Sequence, residues 1–185
     1  MASRVDALVE RYERHVRLPW ERGIAGPQRV WFAVYRKDDE RRLRYRVDAF
    51  RLATEKAGKT WALEDLTNAF AEWMETQEYR EAFFRTPATL APMLPEFEAH
   101  VAERLIALAQ AQTEDDVLAV LGIGSLFGFA KVSDVIPKVA PAIRGRLLVF
   151  FPGSVAGNNY RLLDARDGWN YLAVPITAFD DGSAT

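Results

Sequence analysis

Val117 to Gly128, V-L-A-V-L-G-I-G-S-L-F-G, constrains the architecture more than any other stretch. Five apolar residues run into glycine without alternation, as in a strand buried on both faces, which places it at the centre of a sheet. Gly122, Gly124 and Gly128 then allow a sharp turn, with Gly124 expected to resist a β-branched substitution. Ser133 or Asp134 is placed to cap a following helix that turns Ile136, Val139, Ala140 and Ile143 to one side. The pattern is strand, tight turn, helix.

Ser3 and Asp6 have the spacing of a capping box, and Val5, Leu8, Val9, Tyr12 and Val16 recur at helical intervals, predicting a helix over 4–17. Leu18-Pro19-Trp20 ends it, and Gly23 to Pro27 reads as a loop. R-V-W-F-A-V-Y, 29–35, predicts the first buried strand. Asp38 and Asp39 suit a helix start, and Leu43, Val47, Phe50 and Ala57 form the apolar stripe of a helix over 39–57. A second strand is expected over 60–66. Thr67 or Asn68 then caps a helix with Phe70, Trp73 and Met74 inward, and another helical piece covers 78–84. Pro95 fits the first turn of a long helix carrying Phe97, Val101, Leu105 and Leu108. R-L-L-V-F-F, 146–151, gives a further buried strand ending at Pro152-Gly153, and 160–165 with 169–176 flank the turn signal Asp167-Gly168 as a hairpin. The aromatic cluster Trp73, Tyr79, Phe83 and Phe84 reads first as core, with a partner groove as the other option.

The expected fold class is α/β, a mainly parallel sheet flanked by helices on both faces, with a C-terminal antiparallel hairpin at its edge. With 185 residues, 49% of them hydrophobic, the chain suits one domain over 1–178, opening with a helix and loop over 1–27 and leaving 179–185 as a flexible tail.

Charge is unevenly distributed. Residues 1–59 hold 15 Lys and Arg against 9 Asp and Glu, whereas the remainder holds 9 against 17. Arg42, Arg44 and Arg46 lie off the apolar stripe of the second helix, so they form either a solvated face or a docking surface for an acidic partner. The acidic chain as a whole, net -2, disfavours direct DNA binding. The absence of cysteine excludes disulfides and thiol chemistry, and no apolar run approaches a membrane span, so a cytoplasmic protein with no membrane association is expected.

Known catalytic patterns are missing. A phosphate loop needs a Lys followed by Ser or Thr after its glycines, and Gly122-Ile123-Gly124 misplaces the third glycine of a dinucleotide fingerprint. Ser125 has no nucleophile-elbow context. His15 and His100 lack a second ligand at helical spacing, so neither a metal nor a cofactor is expected. What remains is the general rule that open parallel sheets bind ligands at the carboxyl ends of their strands. Here that rule gathers Tyr35, Asp65, Gly124, Ser125, Pro152 and Gly153 into a candidate crevice, compatible with a nucleotide-like site or with protein docking.

Three segments together resemble the BrxB family of BREX bacteriophage-exclusion systems. They are V-W-F-A-V-Y-R-K-D-D-E, the G-I-G-S-L-F-G-F-A-K-V-S turn, and L-L-V-F-F-P-G followed by N-N-Y-R-L-L-D and the Tyr171 strand. The resemblance spans nearly the whole chain and rests on no catalytic motif. It implies a cytoplasmic, non-enzymatic adaptor or scaffold in a multi-component defence assembly, with the alkaline-phosphatase-like component as the first expected partner. The alternative is a small-molecule or nucleotide-binding module using the strand-end crevice.

Overall fold

The computed structural model describes residues 3–179, and the expected tail lies outside these apart from Phe179. Five parallel strands form its frame: β1 (Val30–Tyr35), β2 (Thr60–Asp65), β3 (Asp116–Leu121), β4 (Arg146–Ala156) and β7 (Val174–Ile176), in the order β2-β3-β4-β1-β7. β3 and β4 are central, as their unbroken apolar runs require. Side chains alternate across the sheet. Trp31, Ala33, Val117, Ala119, Leu148 and Phe150 face one layer, and Phe32, Val34, Leu118, Val120, Val149 and Phe151 face the other.

The first layer is α1 (Arg4–Val16) with α2 (Glu40–Lys56). α1 starts at the expected capping box, where the Ser3 hydroxyl accepts from the Asp6 amide at 3.2 Å and the Asp6 carboxylate accepts from the Ser3 amide at 3.0 Å. The second layer is α3 (Ala69–Glu75), α4 (Arg80–Arg85), α5 (Leu94–Gln110) and α6 (Val132–Val139), with Pro95 in the first turn of α5. Both faces of the sheet are therefore covered, as a parallel sheet demands.

Several local expectations differ from the structure. β4 does not stop at Pro152-Gly153 but continues to Ala156, turns at Gly157 and pairs antiparallel with β5 (Asn159–Leu162), which pairs in turn with the two-residue β6 (Trp169–Asn170). The antiparallel unit is present, but Val174–Ile176 leaves it and becomes a parallel edge strand beside β1. The N-cap of α6 is Lys131 rather than Ser133 or Asp134, its amide donates to Glu98 at 3.2 Å, and Ile143 lies beyond the helix. Asp39 precedes α2 but makes no cap bond. It accepts instead from Arg4 at 3.0 Å and so ties the two outer helices together.

His15 adds a pH dependence to the α1 layer. Its ring meets Trp31 edge-on at 4.5 Å, and burial, followed by the nearby Arg146 charge, lowers its pKa below the ordinary value. The unfolded chain then binds the proton more tightly than the folded one, so stability is complete above about pH 6.5 and falls as pH drops toward the depressed folded value. Urea midpoints should decline across that window, before the carboxylates protonate. His15→Gln should flatten this first decline, and a midpoint independent of pH in the unmodified protein would contradict it.

Candidate functional site

The strand-end crevice exists. A cavity of about 350 Å³ opens at the carboxyl ends of β1, β3 and β4, lined by Lys37, Glu40, Arg44, Thr67, Gly122, Gly124, Ser125, Pro152 and Leu163. Of the six residues expected there, Gly124, Ser125 and Pro152 line it directly. Tyr35 lies under it, buried, and donates a short hydrogen bond to the lining Glu40. Asp65 does not line it but stands behind it, accepting from the lining Arg44 and Thr67. Gly153 is turned away into the β4–β5 ladder opposite Leu162.

The chemistry of this crevice is largely used up within the protein. Arg44 donates through Nε to Glu40 at 2.7 Å, through Nη1 to Asp65 at 3.2 Å and through Nη2 to the Thr67 hydroxyl at 2.8 Å. All three guanidinium nitrogens are thus committed. Lys37 is paired with Asp164. Two cations therefore face three carboxylates, the reverse of what a phosphate group needs. Burial, then the Glu40 carboxylate, raises the Tyr35 phenol far above its ordinary range, which makes it a fixed donor. Burial opposes ionisation of Asp65, but bonds from Thr67 and Arg44 outweigh it and hold the carboxyl below the usual range. Asp65 is accordingly a charged structural anchor.

The arginines of α2 divide in the same way. Arg46 pairs with Asp6 of α1 at 3.0 Å and Arg44 is held as above, whereas Arg42 is exposed. Reversing Arg44 or Arg46 would therefore set carboxylate against carboxylate inside the fold. Arg42 acts on Asp6 only through its charge and forms no ion pair among the described residues, so Arg42→Glu is the least disruptive reversal on this face.

A larger opening lies on the other side of the sheet. The start of α5, the 127–131 loop with the first turn of α6, and the β5–β6 unit enclose a groove of about 860 Å³, with Phe151 and Tyr160 in its floor and Leu94, Phe127, Phe129 and Trp169 around it. Phe127 is 49% exposed and Phe129 37%, although Phe129 also stacks on Phe70 at 4.0 Å. Glu98, Lys131, Asp134, Arg166 and Asp167 supply charges of both signs at its margin. The expected aromatic cluster splits: Trp73 is core, Phe83 packs partly on it, and Tyr79 and Phe84 of the α4 region are 67% and 70% exposed. Nothing in local sequence marks this groove, because its walls come from three separated segments. The nearest signal is Phe127 and Phe129, two aromatics flanking Gly128 in a loop.

Among the described residues, no group of three or more metal-binding side chains is assembled, and no helix is long and apolar enough to cross a membrane. Comparison with protein-family models, with curated proteins and with solved structures returns no match for this chain.

Proposed function

We propose that this protein is a non-enzymatic adaptor of a BREX-type phage-defence assembly, and that it docks the alkaline-phosphatase-like component through the groove beside Phe127. The observation that carries this reading is the groove itself, an open apolar concavity with solvent-facing phenylalanines and a charged margin. Buried aromatic anchors inside a polar rim are the usual anatomy of a protein interface, and exposed aromatics grouped at one concavity need such an explanation. An amphipathic helix or an extended segment is the kind of occupant that such a groove takes. The defence context comes from the three-segment resemblance. The groove supplies the means of contact.

Phe127→Asp should leave the melting temperature nearly unchanged, since the ring is half exposed. It should weaken co-purification with the alkaline-phosphatase-like component by at least about tenfold, as expected for an interface anchor. Arg42→Glu, on the opposite layer, should co-purify normally. Loss of binding in Arg42→Glu with full retention in Phe127→Asp would move the docking surface to α2 and overturn the groove.

A further inference from the structure

At the opposite end of the sheet from the crevice, where β2 and β4 begin, lies a small polar cavity of about 90 Å³. Five cationic side chains line it, Arg22, Arg29, Lys59, Arg144 and Arg146, against the three carboxylates Glu21, Glu114 and Asp115. Arg22 pairs with Glu114 at 3.3 Å and Lys59 pairs with Asp115. Among the described residues, Arg29, Arg144 and Arg146 form no ion pair with any carboxylate.

Arg146 is the unusual member, being only 5% exposed. Its guanidinium lies 4.8 Å from the centre of the Trp20 ring and 5.8 Å from that of Trp31, and it donates to the carbonyls of Gly145 and Glu21 at 3.0 Å each. Ring faces and carbonyl dipoles offset only part of the desolvation of a buried cation. Arg29 adds a second positive charge from the same side while donating to the carbonyls of Ile143 at 2.8 Å and Arg144 at 3.1 Å. Burial, then Arg29, lowers the Arg146 pKa from its ordinary value, outweighing the Glu21 carboxylate, which raises it. The backbone thus holds two guanidinium groups at one cavity without neutralising either, and Arg144 stands exposed beside them.

Planar guanidinium forks match the oxygens of phosphate better than any other side chain does. At about 90 Å³ the cavity is well under the roughly 300–1,000 Å³ of sites that enclose a drug-sized ligand, so its occupant is a single small group. We propose that this cavity binds a tetrahedral oxyanion, either free phosphate or the terminal phosphoryl group of a small molecule, with Arg29, Arg144 and Arg146 as its ligands. The site shares no residue with the aromatic groove and does not depend on the adaptor reading.

The test is calorimetric titration of inorganic phosphate into the full chain, in chloride buffer of fixed ionic strength, with phenyl phosphate as a second titrant. One saturable site is expected. Arg144→Ala should weaken it by about tenfold or more, because an exposed charged donor is lost without disturbing the core. Arg146→Lys keeps the charge but removes the fork and should weaken binding similarly. If that variant does not fold, Arg144→Ala and Arg29→Lys decide the matter. Competition between the two titrants would assign a terminal phosphoryl ligand, and exclusion of phenyl phosphate would assign the free ion; both uphold the site. No saturable phosphate binding, an equal response to chloride, or unchanged binding in both Arg144→Ala and Arg29→Lys would overturn it.

Discussion

Phe50→Ala should cost about 3–5 kcal/mol of folding stability, a large share of the roughly 5–15 kcal/mol that a domain possesses. Phe50 is fully buried on the inner face of α2, with its ring 5.2 Å from Tyr12 of α1 and 4.9 Å, edge-on, from Phe150 of β4. It therefore joins both outer helices to the central strands. Its own carbonyl accepts from the Thr54 hydroxyl at 2.9 Å, and the Thr54 Oγ1 lies 2.6 Å from the Tyr12 hydroxyl, so the surrounding polar groups are already satisfied and fixed. Rigid surroundings collapse poorly into a cavity, which puts the expected loss toward the upper end. Urea unfolding measures it directly. A loss below about 1 kcal/mol would show that this layer repacks far more readily than close-packed interiors do.

The second large effect falls on Gly122 rather than Gly124. Gly122 has φ +83°, in the left-handed region, and a Cβ built there would lie 2.5 Å from the Thr67 amide nitrogen and 2.8 Å from the Asp65 carboxylate. Gly122→Ala should thus combine about 1–2 kcal/mol of backbone penalty with about 1–3 kcal/mol of overpacking. It should also break the Asp65–Thr67 turn that forms one wall of the crevice. Gly124 has no positive φ, and its nearest neighbour would be Pro152 Cγ at 3.4 Å. Gly124→Ala should therefore unfold close to the unmodified protein. Equal melting temperatures for the two alanine variants would contradict this assignment.

The comparison between those glycines shows how far the sequence can be read. A strand-turn-helix unit is legible from V-L-A-V-L running into glycine, but which glycine has no room for a side chain depends on Thr67 and Asp65, more than fifty residues away. Likewise the capping box at Ser3 and the proline in the first turn of α5 are local signals, and both appear where expected. β7 is not legible as a parallel strand. Three residues with a proline among them carry no periodicity, and only the exposed side of β1 recruits them. Pro152-Gly153 reads as a stop, yet β4 passes through it while changing partners from the parallel sheet to β5. Gly153 permits that change, since a Cβ there would sit 2.0 Å from the Arg161 carbonyl oxygen.

The candidate sites divide along the same line. The rule that ligands gather at strand carboxyl ends locates the crevice, because it needs only the strand ends. It does not reveal that Arg44 spends its remaining donors on Asp65 and Thr67, since those partners lie outside α2 and only the Glu40 pair, one helical turn away, is local. The same holds for Arg46 and Asp6. Helical spacing shows which arginines avoid the core, but tertiary structure decides which are left for a partner. The groove beside Phe127 and the arginine cavity at the foot of the sheet are both built from distant segments, and neither leaves a local mark.

Photo-crosslinking from position 127 is the most direct test of the docking claim. A photoreactive residue replaces Phe127 in one strain and Tyr45, which is 86% exposed on α2, in another, each carrying the complete defence locus. Docking in the groove predicts a covalent adduct with the alkaline-phosphatase-like component from position 127 and none from position 45. An adduct from position 45 alone, or no defence component at either position in cells that still resist phage, would contradict it.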